Sequence, residues 1–98
     1  PEEMLVAALS SCHMLTFLHK ARVAGFVVLA YADAAEGVMT ELSPGRQAIT
    51  HVSLRPAITW EGLAPDDETL ARLHHAAHEE CFIANSVNAK IVVEPPRA

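Results

Sequence analysis

The chain has 98 residues, of which 51% are apolar and 19% charged, and a net charge of -5; this suits one small folded domain and excludes a coiled coil, a collagen-like chain or a disordered tail. A domain of this length buries only about 60 to 65% of its unfolded surface, so so apolar a subunit is expected to complete its core against a second copy of itself. An acidic chain without a Lys/Arg-rich run lacks the electrostatic footprint that nucleic acid or an anionic membrane requires, and neither partner is expected.

Residues from Glu2 to about Ala24 are strong helix formers without proline, with Glu2 and Glu3 at the positive end, Lys20 and Arg22 at the other, and Gly25 as the stop. Its uncharged stretch, Met4 to Leu18, is shorter than the roughly 20 residues that cross a bilayer, and no basic segment precedes it. Apolar residues point in nearly every direction around this helix, so it is expected at the centre of the domain. Phe26 to about Thr40 favours extended structure, and Ser43-Pro44-Gly45-Arg46 supplies turn chemistry before a second extended run, which together predict a hairpin. In the second run Val52, Leu54, Pro56, Ile58 and Trp60 alternate with His51, Ser53, Arg55, Ala57 and Thr59, the period of a half-buried strand, with Pro56 marking an edge or a bulge. Pro65-Asp66-Asp67-Glu68 opens a second helix that places Leu70, Leu73 and Ala77 on one stripe and ends near Cys81. A last alternating segment, Ala89 to Glu94, is stopped by Pro95-Pro96. The expected architecture is α+β in the order α-β-β-α-β, a long central helix packed against an antiparallel sheet.

Cys12, within Ser10-Ser11-Cys12-His13 on the apolar helix, is either a buried small hydrophobe or a nucleophile whose thiol must be activated from elsewhere, since a mid-helix position gains little from the dipole. His13 lies about 100° around the helix from it, whereas Thr16, one turn on, is better placed to line the same pocket. Cys81 sits where the second helical pattern breaks down. It is either an unrelated buried thiol or a partner able to condense with a sulfenic acid on Cys12. A competing site is His74, His78 and Cys81 at i, i+4 and i+7, a spacing that can chelate zinc but needs a further ligand from His13, His19 or His51. With two cysteines and no secretory signal, a reducing cytoplasm with free thiols is the expected compartment.

Pro1-Glu2-Glu3-Met4-Leu5, Ala7-Ala8-Leu9-Ser10-Ser11-Cys12-His13 and His78-Glu79-Glu80-Cys81 with Asn85-Ser86-Val87 resemble the OsmC/Ohr family of thiol-dependent peroxidases, which reduce organic hydroperoxides. The resemblance covers essentially the whole chain, read as one domain over residues 1–98. It implies that Cys12 is the peroxidatic cysteine, Cys81 the resolving one and Glu2 the glutamate that orients a catalytic arginine. It also implies a mechanism without metal or organic cofactor, an external dithiol as reductant and an intertwined homodimer. Leu9, Thr16, Phe17 and Phe82 are the expected lining of the substrate pocket and favour an alkyl peroxide. Two departures stand out. The chain starts at the proline of the helix motif, so the family's N-terminal strands and their arginine are expected to be missing, and no motif promotes Arg46, Arg55 or Arg72 in its place. Many members carry proline after the resolving cysteine, where this chain has Phe82. A non-catalytic binding or stress protein on the same fold is the alternative.

Ten residues along a helix span about 15 Å, so Glu2 cannot touch the Cys12 of its own chain if both are helical. The spacing predicts a site completed by a second subunit, where two Met4–Leu18 helices pack.

Overall fold

The computed structural model describes residues 1–96; the last two residues of the expected 1–98 unit lie outside the described residues. Helix α1 runs from Glu2 to Val23 as one uninterrupted element, with the acidic first turn and basic last turn in place. It ends as the sequence requires: Ala24 is the cap, Gly25 follows at φ 91°, and the Phe26 N–H closes back onto the Ala21 carbonyl at 2.9 Å. Among the described residues, no helix is long and apolar enough to cross a membrane.

Both extended runs are present, and each is divided. The first becomes β1 (Val27–Asp33) and β2 (Glu36–Ser43), and the second becomes β3 (Arg46–Leu54) and β4 (Pro56–Glu61). The expected hairpin is β2–β3, turning through Pro44-Gly45 between the paired Ser43 and Arg46. β1 instead pairs antiparallel with β4, from Val27–Glu61 to Asp33–Pro56. The sheet expected against the helix is therefore two sheets, one of β1 and β4 and one in the order β2-β3-β5, where β5 (Lys90–Val93) runs parallel to β3. Proline brings no N–H to a ladder, which makes Pro56 a natural first residue for a strand joining a new partner.

Asp33 and Arg55 hold the two breaks together. The Asp33 carboxylate accepts the Arg55 backbone N–H at 2.6 Å and the Ser10 hydroxyl at 2.5 Å. The buried Arg55 guanidinium donates to Glu94 at 3.1 Å and to the Ala34 carbonyl at 3.2 Å, with Glu36 at 3.8 Å. A charge at 7% exposure needs such partners, and these come from β2, from the link between β1 and β2 and from the chain just after β5.

Helix α2 (Asp67–Glu80) starts where Asp66 accepts the Thr69 N–H at 2.8 Å and gives way at Cys81 to extended backbone. It lies against α1, tied at the far end by a Lys20–Glu80 ion pair. A short 3-10 turn, Ala84–Ser86, leads into β5. Two cores result, and α1 serves both. Leu9 packs with Val52 and Leu54, while Phe17 and Ala21 pack with Ala77 beneath Tyr31, Ile58 and Trp60.

Candidate active site

The two cysteines, far apart in sequence, meet where α1 passes the C-terminal end of α2. Both are free thiols, and the Cys81 S–H donates to Cys12. Helical periodicity sets Cys12 and Thr16 on one face of α1, where the Thr16 hydroxyl donates to the Cys12 carbonyl at 2.9 Å and borders its sulfur. The extended backbone of Cys81, φ -72° and ψ 113°, turns the next residues across the same sulfur. There the Ala84 N–H reaches Cys81 Sγ at 3.4 Å.

These contacts separate the two thiols chemically. Burial pushes the Cys12 thiol up, but hydrogen bonds from Cys81, from the Ile83 and Phe82 amides and from Thr16 together pull it below the ordinary thiol value. Burial likewise pushes Cys81 up, and its role as donor to Cys12 pushes it further the same way. One sulfur is thus disposed to be thiolate and its neighbour to stay protonated. All the donors to Cys12 are neutral.

His13 turns away from Cys12 into the seam between the helices. Its Nε2 is 3.0 Å from His74 Nδ1, the rings stack at 5.2 Å, and Phe17 lies against His74 at 4.3 Å. Burial is the main cause that lowers both histidines to about 4, so both are neutral at neutral pH and share one N–H···N bond. This arrangement bears on the zinc spacing of His74, His78 and Cys81: His74 is engaged with His13 and Cys81 with Cys12. Among the described residues, no three His, Cys, Asp or Glu side chains are grouped to hold a metal ion.

The other expected residues fall as follows. Leu9, at 1% exposure, and Phe17, at 0%, are closed into the two cores rather than lining an open pocket. Phe82 is 80% exposed, with its side chain in solvent rather than lining a pocket. Glu2 lies on the same continuous helix as Cys12 and lines a groove of about 640 Å³ with Ser10, Met14, Tyr31 and Asp33; Cys12 does not line that groove. Arg55 is committed to Glu94, Arg72 is paired with Glu68 at 3.5 Å, and Arg46 is an exposed strand residue. Sequence reasoning missed the His13–His74 pair, although the 100° offset of His13 pointed it toward another element, and missed the backbone donors of the turn, for which a sequence carries no signal.

The family model for OsmC-like protein matches residues 1–95. Among solved structures, an OsmC-like protein of unknown function from Vibrio cholerae is 47% identical with a TM-score of 0.91, covering 97% of this chain and 62% of that one. The chain thus spans somewhat less than two thirds of that relative. A Legionella pneumophila organic hydroperoxide resistance protein OsmC is 21% identical with a TM-score of 0.79, covering 99% of this chain and 69% of that one. An OsmC-like protein from Mycoplasma pneumoniae has the same TM-score at 15% identity, covering 97% and 69%, so that these two share the fold. A search of curated proteins finds no match. With one family model spanning almost the whole chain and its α+β fold repeated in these structures, the chain belongs to the OsmC-like protein family.

Proposed function

We propose that the protein is a thiol-dependent peroxidase that reduces organic hydroperoxides to alcohols. The observation that carries this reading is the hydrogen-bonded pair of unlike thiols, Cys12 stabilised as thiolate and Cys81 held protonated against it. The Cys12 thiolate attacks the terminal oxygen of R–O–OH. The O–O bond breaks, R–O⁻ leaves and takes a proton to become the alcohol, and Cys12 becomes a sulfenic acid. Cys81 loses its proton and attacks that sulfur, the S–O bond breaks with loss of hydroxide or water, and a Cys12–Cys81 disulfide forms. An external dithiol returns both thiols, which suits a reducing cytoplasm.

Thr16 remains beside the reacting sulfur as a contact for the peroxide, whereas Leu9 and Phe17 act by packing. Glu2 cannot serve its own Cys12, because about 15 Å of unbroken helix separates them, so a second copy supplies it. Apolar side chains left open on α1, with Met4 at 75% and Leu15 at 63% exposure, support such a partner.

The test is consumption of cumene hydroperoxide with dithiothreitol. Cys12→Ser is expected to abolish it, and Cys81→Ser to allow about one turnover before Cys12 over-oxidises, seen by mass spectrometry. Undiminished turnover in the Cys12→Ser variant overturns the reading.

A further inference from the structure

We propose that His13 and His74 are positioning residues for the thiol pair: their hydrogen bond fixes where α2 lies on α1 and so holds Cys81 beside Cys12. This deepens the peroxidase reading and rests on it, because the disulfide step needs the two sulfurs to stay within reach of each other.

Cys81 lies between two anchors on α1. Seven residues before it, His74 stands over His13 and Phe17, with Nδ1 3.0 Å from His13 Nε2 and its ring centroid 5.2 Å and 4.3 Å from theirs. Just after it, Ile83 and Ala84 pack into the core that Leu9 shares with Val52 and Leu54, and the Ala84 N–H reaches the buried Cys81 sulfur at 3.4 Å. His13 is the next residue to Cys12 on a rigid helix, so whatever fixes His74 against it also fixes the distance from Cys12 to the chain that carries Cys81.

The second anchor is apolar, and so is most of the seam, where Phe17, Ala21 and Ala77 are wholly buried with Leu70 and Leu73 beside them. Such contact is non-directional and lets two helices slide or rotate at small cost. A hydrogen bond does not, because it weakens steeply once distance and angle are lost, and its loss here leaves two buried nitrogens unpaired. Among the described residues the other polar side-chain tie between the helices is Lys20–Glu80, which joins two long side chains at the surface and pins less. The bond also has a direction. His13 Nδ1 is buried without a partner, and a bare lone pair is tolerated there better than an N–H, which makes His13 the donor through Nε2 and His74 the acceptor through Nδ1. Both rings must then be neutral. His78 on α2 opposes a proton on His13 and Asp33 on β1 favours one on both rings, while Tyr31 on β1, beside Phe17, stays a neutral phenol; burial outweighs the two charges.

The test is the equilibrium of the Cys12–Cys81 disulfide with glutathione at pH 7, read by alkylation and mass spectrometry. His13→Leu/His74→Leu keeps the apolar bulk without the bond and is expected to make the disulfide about ten-fold less favourable, a potential about 30 mV higher. His13→Gln/His74→Asn puts an amide N–H and an amide oxygen where the two bonded nitrogens are, and is expected to stay within about two-fold of the parent. An unchanged leucine variant overturns the proposal. So does a Gln/Asn variant that falls as far as the leucine one, since the pair would then act by packing alone. If the leucine variant does not fold, the parent protein still decides, because coupling is reciprocal. Closing the disulfide is expected to lower the His13 and His74 titration midpoints, followed by their imidazole resonances, by about one unit, and equal midpoints in the dithiol and disulfide forms overturn the clamp. Neither readout uses a peroxide. A shifted potential in a protein that leaves cumene hydroperoxide untouched keeps the clamp and ends the peroxidase reading.

Discussion

His13 is 1% exposed, hydrogen-bonded to His74 on one side and left with Nδ1 buried and unpartnered on the other. Such a group tolerates neutrality far better than charge, hence its fall to about 4 together with His74. In the unfolded chain the same histidines titrate near 6.5. As pH falls from there toward 4 the unfolded state takes up protons that the folded state refuses, so stability is full above 6.5 and is lost across that window, by up to about 3 kcal/mol for one such histidine. Urea midpoints at pH 7 and pH 5 measure this. A lower midpoint at pH 5 is expected, and a difference of about half or less in His13→Leu/His74→Leu; equal midpoints in the parent protein sink the account. At this scale the sequence was informative about Cys12 and Cys81, whose surrounding motifs are specific. It was silent on what surrounds them, because backbone donors and the rotation of an imidazole into a helix seam depend on tertiary contact. Leu9 and Phe17 illustrate the same limit: an apolar residue near a cysteine reads alike whether it lines a pocket or fills a core.

Helices were legible almost to the residue because each carries a boundary signal, the stop Gly25 after α1 and the cap Asp66 before α2. Strands were legible as extended chain and as the β2–β3 hairpin, but not in the β1–β4 and β3–β5 pairings. Alternation records which face a side chain takes, and Val52, Leu54 and Pro56 keep their buried face straight through Arg55, where the chain leaves one sheet for the other. Nothing in a period of two reports that change. Helix α1 packs tightly on β2 at Gly37, where an added Cβ would sit 2.7 Å from Val6 Cγ2. Gly37→Ala is therefore expected to cost about 1–3 kcal/mol by chemical denaturation, and Val6→Ala in that background to recover part of it. A Gly37→Ala protein as stable as the parent would show that the helix and β2 separate freely.

Taken whole, the chain measures 52 × 27 × 22 Å with a radius of gyration of 14.4 Å, against about 12.5 Å for a compact chain of its length. An elongated body with Met4, Leu15, Val38, Met39 and Leu42 all exposed leaves apolar surface that one copy alone does not cover. On the proposed dimer and peroxidase reading, Leu15→Glu is expected to shift the sedimenting species from dimer to monomer and to reduce hydroperoxide turnover by at least ten-fold, since a monomer would lack the second Glu2. A monomeric Leu15→Glu protein with full turnover would dissociate assembly from chemistry. The two cores also impose an order in time. The Phe17 core draws its buried residues from no later than Ala77, whereas the Leu9 core needs Ile91 and Val93 on the final strand. During synthesis the C-terminal half of α1 can find its neighbours first. Its N-terminal half, made before any of these strands, waits longest for its own, because Ile91 and Val93 of β5 are the last of these residues to be made.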